Sequence, residues 1–429
     1  MIKKLFYPGL HIKRWLLLLG VGIVLVSLGI AYWLVQIYRV QPLPDAAATL
    51  TLQFLDRSAR GSLLFVIGVI CIGLAMLKLN QSVLSAFAVR GPGRMIDEIY
   101  TYRTQQRGPK IVVIGGGTGL SVALRGLKEH TSNLTAIVTV ADDGGSSGRL
   151  RRQLGVLPPG DFRNCLVALA DVEPLMQKLF QYRFTNSLSD LDGHSFGNLF
   201  IVAMSEVTGN FERGLREASR VLAVRGRVLP STLENITLCA ELTDAEMVEG
   251  ESQVGQSLQR IRRVFLQPNS PSAYPEAIKA IHEADLVVVG PGSLYTSVLP
   301  NLLVPGVVDA FATSRAVKVY VCNVATQPGE TDGYHVSDHL TALLEHLPPD
   351  PLPFDWVLVN ERLDLPMPSS GKVHPVPPES DSRFDGRFVR ADVVDESNAV
   401  RHDSAKLAQA LVRLSAERPN GKVAVVHAN

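Results

Sequence analysis

The segment Lys110 to Arg149, KIVVIGGGTGLSVALRGLKEHTSNLTAIVTVADDGGSSGR, constrains the fold more than any other part of the chain. Ile111 to Ile114 are β-branched and apolar without alternation, the pattern of a strand covered on both faces. Gly115-Gly116-Gly117-Thr118-Gly119 follows at once, and Leu120 to Leu127 then has helical apolar spacing. A second strand is predicted over Leu134 to Val140. It ends in a glycine-serine turn, Asp142-Asp143-Gly144-Gly145-Ser146-Ser147-Gly148-Arg149. A helix opening behind a glycine turn aims unpaired N–H groups and its positive dipole end at whatever sits there. That favours an anion, most often a phosphate. Two acids and an arginine at a strand's carboxyl end belong in the binding crevice of an open α/β sheet.

The glycines do not name the ligand. Gly115 and Gly117 fit the dinucleotide fingerprint, but Leu120 stands where its third glycine belongs. Thr118-Gly119-Leu120 lacks the Gly-Lys-Ser/Thr of a P-loop. A tight structural turn stays open as the alternative to a phosphate-type site.

A second unit repeats the pattern. Asp285 to Val289 reads as a buried strand, Gly290-Pro291-Gly292-Ser293 as the turn, and a helix is expected through Leu303. Parallel strands would put both turns at one edge, where they could hold the two ends of a diphosphate-linked ligand. Val317 to Cys322 is a further strand, with polar residues Asn323 to Thr331 gathered at its carboxyl end.

Between the units, Pro158-Pro159-Gly160 breaks the chain and Asp161 is expected to cap a helix to Leu169. Arg163, beside Asn164, sits in the first turn of that helix, where a ligand anion could meet it. Arg149, Arg151 and Arg152 read mostly as a solvated face. Gly193-His194-Ser195-Phe196-Gly197 has the letters of a nucleophile elbow, but the elbow needs a buried strand before its serine and Asn186 to Asp192 is polar. A helix start is the better reading, with His194 or Ser195 capping or touching a ligand. Glu249 to Ser252 reads as a hairpin or loop. Arg401-His402-Asp403-Ser404 precedes a last helix, Ala405 to Ser415, with Asp403 or Ser404 as its cap.

Residues 15–38 carry no charge over a length that spans a bilayer, and a second apolar run begins at 61. Two transmembrane helices, about 15–38 and 61–79, are expected, and flanking lysines and arginines place both ends in the cytoplasm. The first run is too long for a signal peptide and no small-residue cleavage site follows. The expected organisation is a membrane anchor over 1–80, a connector over 81–107 and an α/β domain over 108–429. A formal net charge of +1 provides no basic field for nucleic acid. Cys71, Cys165, Cys239 and Cys322 show no paired spacing, against a zinc site or disulfide framework.

Seven boxes in order, GGGTGL, VADDGGSSGRLR, LPPGDFRN, GHSFGN, GPGSLYTS, QPGET and RHD, resemble the YvcK branch of the CofD/YvcK family, also called gluconeogenesis factors. The resemblance covers roughly 108–425. It implies a Rossmann-like three-layer α/β domain with a mostly parallel sheet, which binds UDP-N-acetylglucosamine and acts in cell shape and cell-wall precursor control. The related CofD branch is a 2-phospho-L-lactate transferase, so a transferase is the alternative. A nicotinamide oxidoreductase is weak, because the fingerprint fails at Leu120. Carried onto this chain, the glycine box is Gly115, Gly116, Gly117, Thr118 and Gly119, the acidic box Asp142 and Asp143, and the C-terminal box Arg401, expected to reach the nucleotide.

The expected ligand set adds Ser146, Ser147, Arg163, Asn164, His194, Ser195, Asn198, Gly290, Gly292 and Ser293. Asn198 is expected to hold an acetamido group. Asp142 and Asp143 would bond sugar hydroxyls or hold Mg²⁺ against a diphosphate. Ser404 stands where relatives often have threonine and could accept phosphate. Expected partners are the UDP-sugar and the membrane, with cell-wall synthesis proteins, a kinase and a homo-oligomer left open.

Overall fold

The architecture is that of a computed structural model of the chain. It describes Gln105 and residues 108–416, apart from 172–173, 186–189, 258, 348–353, 369–370 and 380–386, and scattered residues between 20 and 74. Two compact units divide the chain, Met1–Thr104 and Gln105–Asn429. In the first, residues 23–27, 65–70 and 72–74 are helical. The expected spans and the connector fall largely outside the described residues. Among those described, no single helix is long and apolar enough to cross a membrane.

The strands of the second unit are, in chain order, β1 (Ile111–Gly115), β2 (Leu134–Val138), β3 (Arg227–Pro230), β4 (Thr237–Leu242), β5 (Met247–Glu249) and β6 (Ile261–Gln267). After them come β7 (Leu286–Val289), β8 (Val317–Val321), β9 (Trp356–Asn360), β10 (Phe388–Ala391), β11 (Val394–Asp395) and β12 (Asn398–His402). Seven of them form one sheet in the order β10-β9-β8-β7-β1-β2-β3, every neighbouring pair parallel. The unalternating apolar runs explain why: β1 and β7 are buried along their whole length, as strands covered on both faces must be. β5-β4-β6 is a separate antiparallel sheet, and β11-β12 a two-stranded ribbon. From β1 the chain steps outward to β2 and β3, then begins again on the other side at β7. The order therefore reverses between β1 and β7, the position where open parallel sheets bind ligands.

The helices are α1 (Gly117–Leu127), α2 (Gly145–Leu154), α3 (Gly160–Leu169), α4 (Pro174–Gln181), α5 (Phe196–Thr208) and α6 (Phe211–Val221). The rest are α7 (Glu251–Val254), α8 (Pro275–His282), α9 (Leu299–Leu302), α10 (Pro305–Thr313), α11 (Val336–His346) and α12 (Ser404–Ala416), with a π-turn over Leu294–Val298 leading into α9. α1 packs against α3 and α12, and Gly126 lets the Ser404 carbonyl come against its backbone.

Several local expectations change. The glycine-serine stretch is helix α2 from Gly145 onward, because Asp142 Oδ1 accepts the Gly144 N–H at 2.9 Å and turns the chain into the helix. Asp161 does not cap α3; its carboxylate is drawn to another element, described below. The helix start expected at His194-Ser195 holds: Ser195 is the cap of α5, accepting from Asn198 N at 3.3 Å with extended backbone. Glu249-Gly250-Glu251-Ser252 is the end of β5 and the start of α7. Asp403, not Ser404, caps α12, accepting from the Ala405 and Lys406 N–H groups at 2.8 Å each. Arg151 is half-buried and donates to the Ala141 and Ile236 carbonyls, so it is not a solvated charge.

Candidate functional site

The two glycine turns leave the neighbouring strands β1 and β7 side by side. The Gly290 N–H donates to the Ile114 carbonyl at 2.9 Å, and Asn301 Nδ2 reaches the Gly115 carbonyl at 3.0 Å. A Cβ on Gly119 would stand 2.5 Å from the Pro291 carbonyl oxygen, so only glycine lets the two turns approach this closely. Gly117 has φ of +61°, the left-handed region that glycine enters without strain.

Outside these strand ends lies a cleft of about 530 Å³. Its polar wall includes Gly116, Gly117, Thr118, Gly119, Gly292, Ser293 and Arg401 from the expected set. The N–H groups of Thr118 and Gly119, at the start of α1, meet no acceptor among the described residues. Arg401 is exposed; its charge adds to the Ser397 hydrogen bonds in lowering the pKa of the Asp395 carboxylate, and among the described residues it forms no hydrogen bond or close ion pair. It is set there by its neighbour: His402 Nε2 meets the Cys322 carbonyl at 3.2 Å, tying β12 to the carboxyl end of β8. Burial pushes the His402 imidazole down to about 4, so it is neutral and its Nε2–H donates. Val122, Val324, Val373 and Val400 give the cleft an apolar side.

Sequence reasoning missed Glu251, Thr296, Ser297, Thr326 and Gln327, which also line the cleft. Thr326 and Gln327 carried a signal, as polar residues beyond a strand's carboxyl end. Glu251 had none, because α7 reaches the site from the small antiparallel sheet.

Both turns already hold a carboxylate of the chain itself. Gly117 N–H donates to Asp161 Oδ2 at 2.7 Å. Glu330 accepts from Tyr295 N at 3.3 Å, Thr296 Oγ1 at 3.1 Å, Gln327 Nε2 at 3.3 Å and the Ser293 hydroxyl. The second turn therefore does not present Ser293 as a free donor, against the expectation that it grips a phosphate. Burial lifts the pKa of Asp161 to about 6, with Asp142 adding to the rise. Burial lifts Glu251 further, to about 10, with the charges of Asp142, Asp161, Asp143 and Glu330 adding. Burial also raises Asp142, which hydrogen-bonds Glu251; at neutral pH Glu251 holds the proton and donates it to Asp142.

Asp142 and Asp143 do not act as a pair. Asp143 Oδ1 accepts from the Ser252 N–H at 2.9 Å and from the Ser252 hydroxyl, which fixes the first turn of α7. Among the described residues no three His, Cys, Asp or Glu side chains converge as metal ligands. The two acids expected to hold Mg²⁺ therefore face different partners, and no step is assigned to a metal.

The remaining expected residues form a buried hydrogen-bonded cluster away from the cleft wall. Ser146 Oγ lies 3.0 Å from His194 Nδ1 and accepts from Asn198 Nδ2 at 3.0 Å. Burial, then Arg149 and Arg183, lowers the His194 pKa and favours the neutral ring, whose Nδ1 shares a proton with the Ser146 hydroxyl. Arg163 donates to Ser195 Oγ at 2.6 Å and Asn164 Oδ1 at 2.9 Å. Ser147 hydrogen-bonds Asp142 and so joins this cluster to the acids. Gly115 and Gly290 support the turns from the strand ends.

The family model of the 2-phospho-L-lactate transferase CofD matches residues 111–414. The Gluconeogenesis factor of Bacillus subtilis is 49% identical over 72% of this chain and 99% of its own. A Nostoc protein also named for gluconeogenesis is 46% identical over 98% of this chain and 94% of its own. A crystal structure of a UPF0052 family member from Bacillus halodurans superposes with a TM-score of 0.66 at 47% identity, covering 71% of this chain and 99% of that one. From the sheet order, the paired glycine turns and these matches, the chain belongs to the CofD/YvcK family, among relatives named gluconeogenesis factor.

Proposed function

We propose that the second unit is a nucleotide-sugar-binding regulatory domain, with UDP-N-acetylglucosamine as its ligand, acting in cell shape, cell-wall precursor and carbon-metabolism control. One observation carries the reading: the unpaired N–H groups of Thr118 and Gly119 and the unpaired guanidinium of Arg401 face one cleft at the sheet's switch point. Charged and dipolar donors so placed suit a diphosphate, and the apolar side near Val122 and Val400 suits a nucleobase. The cleft volume of about 530 Å³ lies within the range of ligand pockets. The sugar and the regulatory role rest on the resemblance to the YvcK branch.

A transferase is the second reading, supported by the name of the matching family model. Phosphoryl-type transfer needs mainly positioning and charge stabilisation, which a cleft of this kind could supply. Calorimetric titration of the full chain with UDP-N-acetylglucosamine, UDP and NADH, with product analysis alongside, separates the readings. Saturable UDP-sugar binding without turnover supports the regulator; steady, acceptor-dependent product formation supports the transferase.

The membrane part of the proposal rests on the uncharged runs at 15–38 and 61–77. Two spans would anchor the domain with both chain ends in the cytoplasm. Retention of the chain in the membrane pellet after alkaline extraction supports it; release into the supernatant contradicts it. Ser404 is kept as a phosphate acceptor, at the first residue of α12.

A further inference from the structure

We infer that Glu330 is a built-in carboxyl group that closes the second glycine turn to phosphate. The inference is geometric. Behind the first turn, Asp161 takes one backbone N–H and leaves those of Thr118 and Gly119 unpaired. Behind the second turn, the Glu330 carboxylate meets four donors: the Ser293 hydroxyl, Tyr295 N, Thr296 Oγ1 and Gln327 Nε2. The Ser293 and Thr296 hydroxyls also lie 2.5 Å apart and each has one proton, so they, the Tyr295 N–H and the Gln327 amide are all engaged in one network around the carboxyl group. A backbone N–H and two hydroxyls just beyond a glycine turn are the donors a phosphate would use. Glu330 is 4% exposed, so it is built into the wall and does not reach into the cleft as a ligand group.

Two consequences follow. Glu330 joins the β7 turn to the loop after β8, because Ser293 and Gln327 lie on opposite sides of its carboxylate. The wall thus keeps its shape without a ligand. A second anion at this turn would also have to displace the Glu330 carboxyl group from these donors. Under the nucleotide-sugar reading, on which this step rests, the diphosphate is confined to the first turn and Arg401, and the second turn meets only neutral parts of the ligand.

The test uses the full chain as wild type, Glu330→Ala and Glu330→Gln. Glu330→Ala removes the carboxylate and leaves its donors facing a space of carboxylate size. Thermal unfolding in chloride, acetate and phosphate buffers at matched pH and ionic strength should show a lowered midpoint for Glu330→Ala in chloride. Acetate or phosphate should recover it saturably, by several degrees more than any change in wild type. Glu330→Gln, which fills the space, should show no such recovery. In calorimetry with inorganic diphosphate, Glu330→Ala should show one more site than wild type. Equal anion effects on wild type and Glu330→Ala, or no added site, would overturn the inference. So would a Glu330→Ala chain that stays unfolded even in acetate and phosphate. Wild type that binds no UDP-sugar, together with anion recovery of Glu330→Ala, would instead reject the functional reading and leave the role of Glu330 standing.

Discussion

The N–H of Gly117 donates to the carboxylate of Asp161 at 2.7 Å across 44 residues of sequence. This bond fixes the start of α1 to α3 and places a half-buried acid at the turn that the proposal assigns to phosphate. Asp161 has a pKa raised from 3.8 to about 6, chiefly by burial and by Asp142. The folded chain therefore keeps this proton to higher pH than the unfolded chain. The stability it contributes is full below about pH 4 and is lost as pH rises to about 6. A shift of roughly two units corresponds to about 3 kcal/mol at most. Asp161→Asn keeps an acceptor for Gly117 N–H and removes the titration. Urea unfolding should show wild type losing stability relative to Asp161→Asn between pH 4 and 7, with parallel curves as the contrary result.

Glu251 should extend that trend upward. Its pKa, raised from 4.5 to about 10, means that stability falls as pH climbs through that window. Glu251→Gln should be the more stable chain at pH 9 and differ least near pH 4. A difference that grows toward low pH would show that Glu251 is ionised in the folded state.

Gly119→Ala should damage fold and site together. Its new Cβ would meet the Pro291 carbonyl at 2.5 Å, a backbone atom that cannot move aside as a side-chain tip would. A cost of about 1–3 kcal/mol is expected, as for other overpacking changes. Thermal unfolding with UDP titration checks it, and a variant equal to wild type in both would remove the argument for closely packed turns.

Arg401→Ala should lower UDP affinity about 10- to 100-fold, the worth of a hydrogen bond to a charged group. Folding stability should change by less than about 0.5 kcal/mol, because Arg401 is exposed and pairs with no described residue. Calorimetry and unfolding run on one preparation test both halves.

His402 should act through Arg401. Loss of its bond to the Cys322 carbonyl frees β12 from β8. His402→Leu should weaken UDP binding in wild type but add little in an Arg401→Ala background, and His402→Gln, which restores a donor, should recover part of the loss. Equal losses in both backgrounds would make His402 a general stability residue.

The two glycine turns and the strands before them were legible because each of those strands is an unalternating apolar run ending in glycine, Ile111–Gly115 and Leu286–Gly290. Placement of Arg401 beside them came from the family resemblance. What spacing could not show is which groups already satisfy one another. Asp161 sits where a helix cap belongs but serves another helix, and Glu330 fills the turn that reads as a second phosphate cradle. Asp142 and Asp143 are adjacent in sequence yet face different partners, Glu251 and Ser252. Ser146, His194 and Asn198 bond one another and Arg163 bonds Ser195, a set of mutual contacts that spacing alone does not show, while Arg163 Nε and Asn198 Oδ1 stay buried without a partner among the described residues.

The most direct test of the account is a crystal structure of the chain with UDP-N-acetylglucosamine. Diphosphate oxygens should lie within hydrogen-bond distance of the Thr118 or Gly119 N–H and of the Arg401 guanidinium, with Glu330 still bound to Ser293. A diphosphate seated on Ser293 and Thr296 with Glu330 displaced, or a ligand bound elsewhere, would contradict it.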